Sequence, residues 1–582
     1  MTREFDVAII GGGPAGSTAG TILRKYDDKI KVGIFEREQF PRDHVGESQL
    51  PAIGPILEEM GVWDKVEAAN FPIKIGATFR WGKTRDLWDF QFIEKSKFVD
   101  QARPAKYEGQ RLLSAFQVDR AIYDEILLDH AEELGCEVHQ NLGVSKIHFD
   151  GDRITHLTLA DGSAVKADYY VDASGHVGIL RRTLGIEIEQ PTSLQNVAFW
   201  DYWQNAEWAT EIGVGGTFVQ VMSTEYGWIW FIPLGATRTS VGLIVPAEYY
   251  KKSGKTPEEL YAKALKDDER ISYLMREATS EGKFATTKDW SFVASRHAGE
   301  NWFLAGESGG FADPILAAGL TITHVSAKET ANTILELRRG RYEADWLRDQ
   351  YGMRQINRLR NHIRFADFWY TSNGHFDELK EFTAQLAQES GLDLDPEKAW
   401  RWIAQGGFID EDLSFGAGVY MLETVKNFRH YLRDLEIDSV LEKNNRVKLN
   451  LRGANRVKRA VYGRGEIQQV DAYVRENRVL PIHHVIPPLL AMLEADDTLQ
   501  GVINKVFEMI QCAPFDPENK RLLLHTSFQA LESMIRDGWI EAWFDPKLPR
   551  VAINDATGGL NWSDDKTKGV AKEVEKPSAP KM

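Results

Sequence analysis

Phe5-Asp6-Val7-Ala8-Ile9-Ile10-Gly11-Gly12-Gly13-Pro14-Ala15-Gly16 opens this 582-residue chain with an apolar run that ends abruptly in glycine. A run of that kind is buried on both faces of a parallel sheet, and the residues after it, to Lys25, have helical character. A second strand is predicted at 31–35 and ends on Glu36, twenty positions past Gly16. Strand, G-x-G-x-x-G, helix, strand and acidic residue then stand in the order of a dinucleotide-binding unit, a context that lifts the motif above its weak value alone. Gly11 permits the tight turn, Gly13 lets a pyrophosphate approach the backbone, and Gly16 lets helix and strand pack. Pro14 and Ala15 open a helix whose N-terminus offers positive dipole to phosphate, while Glu36 can accept from a ribose hydroxyl.

Working outward, apolar positions Val118, Ile122, Ile126, Leu127, Ala131 and Leu134 predict an amphipathic helix on that sheet, with a further strand at 137–142. A hairpin turning at Asp161-Gly162 closes on Val171-Asp172-Ala173-Ser174-Gly175. From about 195 to 300 the pattern is antiparallel and β-rich, with Trp and Tyr at short spacing, which suits one wall of a pocket. A buried strand at 301–306 returns to the first sheet, and a loop at 307–319 leads into a helix from Leu320. The region 340–545 reads as mostly helical, including an aromatic-rich segment from Phe365 to Tyr370 that suits a packed helical face. The fold class is therefore α/β (α+β): a Rossmann-like domain, an antiparallel β-sheet substrate wall and a helical C-terminal region. The expected boundaries are a core over 1–340 (nucleotide-binding parts 1–190 and 285–340, sheet wall 191–284), helices over 341–545 and a flexible tail over 546–582.

Composition narrows the function. With 70 Lys and Arg against 86 Asp and Glu the net charge is −16, which repels phosphate backbones and anionic lipid, so no nucleic acid is expected. Two cysteines, Cys136 and Cys512, are too few for a disulfide framework or a thiolate metal site, and a reducing cytoplasm fits best. No secretion signal is read at the N-terminus, and no run of about 18 apolar residues offers an integral membrane span. His483-His484 lacks third and fourth ligands nearby, so no metal is expected.

The order of motifs resembles the flavin-dependent halogenases, within the FAD monooxygenases of aromatic-hydroxylase-like fold, over about residues 5 to 370. Four features carry the resemblance. The first is the fingerprint of Gly11, Gly13, Gly16 and Glu36 with Asp172-Ala173-Ser174-Gly175. The second is Phe40-Pro41-Arg42-Asp43-His44-Val45-Gly46-Glu47-Ser48, similar to the family's segment against the flavin, with Gln117-Val118-x-Arg120 similar to its flavin-contacting helix start. The third is Lys74 in Phe71-Pro72-Ile73-Lys74-Ile75-Gly76-Ala77-Thr78-Phe79-Arg80-Trp81-Gly82, and the fourth is Trp228-Ile229-Trp230-Phe231-Ile232-Pro233, which satisfies W-x-W-x-I-P.

The resemblance implies an oxidoreductase that takes reduced FAD from a separate flavin reductase, a transient partner, because only one dinucleotide fingerprint is present. With oxygen and chloride or bromide it would make hypohalous acid, directed by Lys74 onto an electron-rich aromatic, phenol or pyrrole type, free or bound to a carrier protein. An N-halo amine at Lys74 requires a neutral amine, which burial among Phe71, Phe79 and Trp81 would favour; arginine, always charged, could not replace it. Trp228, Trp230, Ile232 and Pro233 would separate flavin from substrate.

The stretch Gly306-Glu307-Ser308-Gly309-Gly310-Phe311-Ala312-Asp313-Pro314-Ile315-Leu316-Ala317-Ala318-Gly319 resembles the family's flavin and halide loop, with Glu307, Asp313, Pro314 and Gly319 on the cofactor and backbone N–H groups of Ala318 and Gly319 on halide. It departs from the pattern twice: Glu307 replaces an aspartate and Ala317 a serine. Leu316 and Ala317 stand where halogenases of free tryptophan carry a glutamate, which favours phenol or pyrrole substrates. Asp289 stands where some relatives place an aspartate facing the flavin ring. The departures keep open a monooxygenase or prenyl-chain reductase of the same fold, and a non-catalytic flavoprotein.

Overall fold

The computed structural model describes residues 2–81, 87–93, 95–99, 102–190, 195–288, 291–372, 440–475, 478–554 and 559–563. The chain forms two compact units, Met1–Ile403 with Ala460–Gln469, and Ala404–Arg459 with Val470–Met582.

The first unit contains a seven-stranded sheet with β1 (Thr2–Ile10) at its centre. Strand β2 (Val32–Phe35) lies parallel on one side, with Val7 opposite Val32, and Ala164–Asp172 lies parallel on the other, with Ile10 opposite Asp172. Val7, Ala8 and Ile9 are fully buried, as a run covered on both faces requires. Trp302–Leu304 adds in parallel beside Ala164–Asp172, so the strand expected at 301–306 does rejoin this sheet. The helix α1 (Pro14–Tyr26) and the helices Arg120–Glu133 and Gly319–Arg339 share one apolar core with β1, through Ile9, Ala19, Ile22, Leu127 and Ala331. His324 joins all three helices: its two ring nitrogens lie 2.7 Å from the Thr18 hydroxyl and 2.9 Å from that of Tyr123.

A nine-stranded sheet forms the wall expected from the β-rich sequence. Asn196–Gln204, Arg238–Pro246, Trp228–Pro233 and Gly216–Ser223 run antiparallel in that order, and β3 (Ile73–Arg80) lies parallel beside the last. Alternation divides Trp228–Pro233 between two faces. Ile229 and Phe231 pack with Leu260, Ala264 and Ile271 of the helices Pro257–Asp267 and Glu269–Leu274, which leaves Trp228, Trp230 and Ile232 for the opposite face. These helices were not foreseen at 195–300; Thr256 and Glu259 form a capping box that starts the first of them.

The first unit continues beyond 340, where the sequence placed the end of the core. The helix Ala344–Ser372 is tied back to Gly319–Arg339 because Glu329, buried in the latter, accepts from the guanidinium groups of Arg354 and Arg358, which outweigh its burial and hold its carboxyl below the usual carboxylate range. In the second unit the expected helices occur at Ile486–Ala495, Leu499–Cys512 and Pro517–Arg536, but strands are present as well. Arg446–Leu449 pairs antiparallel with Ile540–Trp543 around a core that includes Leu489, Val502, Val506 and Trp539. Within the expected tail, Arg550–Asn554 and Gly559–Ser563 form an antiparallel pair; residues 564–582 lie outside the described residues. No helix among the described residues is long and apolar enough to cross a membrane, and no group of His, Cys, Asp or Glu there could hold a metal.

Candidate active site

The glycine turn between β1 and α1 is a place where side chains cannot fit. A Cβ on Gly16 would stand 1.9 Å from the Gly11 carbonyl oxygen, and one on Gly11, whose φ is +104°, would stand 2.5 Å from that of Ala173. Gly13 precedes the helix with no side-chain cap and Pro14 begins it, so first-turn N–H groups are left for an external acceptor. The nearest atom to a Cβ on Gly13 would be Arg42 Nη2, at 3.3 Å, which brings a positive charge over the turn. Glu36 is buried at the end of β2 and accepts from Gly12 N–H at 2.7 Å and Glu38 N–H at 2.9 Å. A carboxylate with about four acceptor sites keeps capacity for ribose hydroxyls.

The segment 40–48 lies against the start of the Arg120–Glu133 helix. Arg120 forms a bidentate pair with Asp124 at 2.7 and 2.9 Å and donates from Nη1 to the carbonyls of Val45 and Gly46. Its donors thus brace the protein. Gly46 has φ +98°, and burial pushes the Glu47 carboxyl up to about 7 against a 3.0 Å hydrogen bond from Tyr202. Ser48 and Gln117 are joined by an isolated β-bridge, and the Ser48 hydroxyl and both amide atoms of Gln117 are buried without hydrogen-bond partners. Two adjacent unsatisfied polar side chains are what a polar ligand would complete. Together with the glycine turn they fit FAD.

Asp172, by contrast, is used locally: one oxygen accepts from Ser174 N–H and Oγ, the other from Leu180 N–H. It shapes the turn at Gly175, whose φ is +66°. Asp289 lies outside the described residues, as does Gly82.

Lys74 is 2% exposed, and its Nζ donates to the Gln49 carbonyl at 2.9 Å, directly after the 40–48 segment. Burial pushes its amine down to about 7. Its Nζ lies over the ring of Phe92, 5.5 Å from the ring centre, a residue that no motif signalled. Its aim depends on a bulge. Against Gly216–Ser223, Thr217 pairs with Lys74 and Phe218 with Gly76, so Ile75 is extra. Beyond the bulge Thr78 bonds Asp89 and Arg80 pairs with Asp268, while Trp81 meets Trp228. The extra residue reverses the alternation and puts Lys74 in register with Phe79 and Trp81.

The tryptophan wall is held by hydrogen bonds at both indoles. Trp230 Nε1 donates to Ser240 at 3.1 Å, and its ring covers Gly242, where a Cβ would stand 2.1 Å away. Trp228 Nε1 donates at 2.9 Å to the hydroxyl of Tyr370, which donates to Asp313 Oδ1 at 3.1 Å. Ile232 and Pro233 complete the buried strand.

The loop behind the wall begins at Gly306, with φ +65°, followed by Glu307, whose carboxyl is raised by burial and lowered by Arg120. Asp313 caps the single turn Pro314–Leu316, Ala317 adopts φ +53°, and Ala318 precedes the helix that opens at Gly319 with no side-chain cap. The structure thus gathers the cradle residues, Lys74 and the wall into the first unit. Phe92, Tyr202 and Gly242 were missed, and Tyr370 was signalled only as the end of the aromatic segment from Phe365.

A family model described as "Tryptophan halogenase" matches residues 6–102 and 88–379. A 1H-pyrrole-2-carbonyl-[peptidyl-carrier protein] chlorinase of Pseudomonas fluorescens is 32% identical over 384 residues, covering 64% of this chain and 84% of the relative. A tryptophan 2-halogenase of Chondromyces crocatus is 32% identical over 342 residues, 57% of this chain and 62% of the relative. Among solved structures, the flavin-dependent halogenase CmlS superposes with a TM-score of 0.69 over 94% of this chain and 96% of its own, at 24% identity, a likeness of fold.

Proposed function

This chain belongs to the tryptophan halogenase family and is an FAD-dependent halogenase, and on that premise we propose that it halogenates an electron-rich aromatic of phenol or pyrrole type, free or carrier-bound, with Lys74 directing the halogen. The other flavoprotein readings lose their support at the family match.

FAD would be held by Gly11, Gly13, Pro14, Ala15, Gly16, Glu36, Arg42, Gly46, Glu47, Ser48 and Gln117, with Arg120 and Asp172 bracing them and Glu307, Asp313, Pro314 and Gly319 closing the site. In its reduced form, with oxygen, FAD supplies the two-electron oxidation of chloride or bromide to hypohalous acid. The chain's own residues then decide where that acid goes. The Lys74 amine, neutral in part near pH 7 because it is buried, displaces hydroxide from the halogen and keeps it as an N-halo amine, with water released. The arene takes the halogen from nitrogen and gives up its ring proton, which restores the amine. Trp228 and Trp230 keep the arene from the oxidant's source, and the N–H groups of Ala318 and Gly319 would hold halide.

The observation that carries this reading is a fully buried lysine aimed by a bulge onto the face of the tryptophan wall. The pyrrole-type relative supports the substrate class. The test supplies the protein with a flavin reductase, FAD, NADH and bromide, and offers phenols, pyrroles, tryptophan and a carrier-bound pyrrole. A bromide-dependent mass gain on a phenol or pyrrole is expected. Normal flavin oxidation with no halogenated product, or product from tryptophan alone, overturns it.

A further inference from the structure

We infer that Tyr370 is a positioning residue whose hydroxyl locks the Trp228 indole to Asp313, so that the tryptophan wall and the turn leading to Ala318 and Gly319 are held in one arrangement. The inference rests on the reading of Ala318 and Gly319 as the halide side of the site.

The direction of each bond follows from the groups. An indole N–H only donates, so at 2.9 Å the Tyr370 oxygen is the acceptor from Trp228. Asn196 Nδ2 also donates to it, at 3.4 Å. The hydroxyl proton is then directed to Asp313, at 3.1 Å from Oδ1 and 3.3 Å from Oδ2. Asp313 Oδ1 in turn accepts from Ile315 N–H at 2.8 Å and so shapes the turn Pro314–Leu316, after which Ala317 and Ala318 enter the helix Gly319–Arg339. One hydroxyl therefore joins three elements that are remote in sequence: the wall strand, the loop and the helix Ala344–Ser372.

The arrangement is closely packed. Tyr370 is fully buried, and Trp81 meets the rings of both Trp228 and Tyr370 at centroid distances of 6.3 and 5.9 Å. The helix that carries Tyr370 is anchored by the Glu329–Arg354–Arg358 group and by Tyr351, which donates to the Leu304 carbonyl at 2.7 Å. Burial raises the Tyr370 phenol well above its ordinary value, so it remains a donor.

Tyr370→Phe keeps the ring and removes the link. The FAD-loaded variant is expected to show a bromide KM raised about tenfold with kcat within about twofold, and more peroxide per NADH consumed. Independently of activity, the Trp228 Nε1–H resonance, assigned through Trp228→Phe, is expected to move toward the position of an unbonded indole. Tyr261→Phe, which removes another buried hydroxyl, bonded to the Val241 carbonyl in the same sheet, leaves both readouts unchanged. If Tyr370→Phe folds poorly, Trp228→Phe breaks the same link from the other side and is expected to raise the bromide KM alike. An unmoved Trp228 resonance, or equal losses in Tyr370→Phe and Tyr261→Phe, overturns the inference. Failure of the wild type to halogenate any substrate instead overturns the functional reading, and leaves the resonance test of Tyr370 standing.

Discussion

The glycine turn at 11–16 and the tryptophan wall at 228–233 work in opposite ways. The turn is shaped by what it lacks: a Cβ at Gly11 or Gly16 would collide with backbone oxygen, which leaves main-chain N–H groups and a helix end open to a ligand. The wall functions by what it carries, two indoles whose N–H groups must each find a buried partner, Tyr370 for one and Ser240 for the other. Only the first has its tightest contact, the Gly11 oxygen against Gly16, within a short stretch of chain. A backbone site is therefore broken by adding atoms, and a side-chain site by removing them or by crowding what supports them.

That contrast is sharpened most by Lys74→Met. Halogenation is expected to fall by at least about 10³-fold, while FAD retention, which depends on the other region, is unchanged; product mass and flavin absorbance read the two separately. The same variant should be more stable. The native amine loses its proton at about 7 and the unfolded one at about 10.5, so between these values the unfolded chain holds more protons and stability rises with pH. The penalty is complete below pH 7, at most about 5 kcal/mol, and fades as pH approaches 10.5. Urea unfolding at pH 6 and pH 9 is expected to show the larger gain for Lys74→Met at pH 6.

Gly16→Ala attacks the other region. With the Gly11 oxygen 1.9 Å from the new Cβ, the turn must open, and FAD affinity is expected to fall by about 100-fold, measured by flavin fluorescence. Retention of FAD at wild-type affinity would mean that the turn is not the cradle. Gly242→Ala tests the wall without replacing an indole: the methyl displaces the Trp230 ring, and peroxide release per NADH is expected to rise about fivefold as the barrier shifts. The smallest effect is expected at Ala317. Because it adopts φ +53° and the halide contacts are assigned to backbone, Ala317→Ser should change the bromide KM by less than about twofold, and Ala317→Gly should add about 0.5–1 kcal/mol of stability.

Much of the first sheet was legible because its signals are local. The run Val7 to Ile10, the glycine turn and Glu36 were read correctly as strand, turn and strand end. The hairpin at Asp161-Gly162 likewise needed only its own alternation. Lys74 was legible as a residue type in a motif, but its neighbour was not: Phe92 is brought to it by the antiparallel pairing of the strand Trp88–Gln91 with β3, and the bulge at Ile75 leaves no mark in hydrophobic periodicity. The second unit was read as helical because its helices are strongly periodic, whereas the short strands Arg446–Leu449 and Ile540–Trp543 pair across some ninety residues and have weak patterns of their own.

The sequence by itself determined the glycine turn, the presence of a motif lysine and the W-x-W-x-I-P strand, because the exclusion of a Gly16 Cβ by the Gly11 oxygen and side-chain alternation act between residues a few positions apart. Only the tertiary structure decided which way Lys74 points, and what holds the wall. Tyr370 stands 142 residues from Trp228 and 57 from Asp313. Their hydrogen bonds exist because helix packing brings three distant elements into one dry space, where an unpaired polar group would be too costly to leave alone.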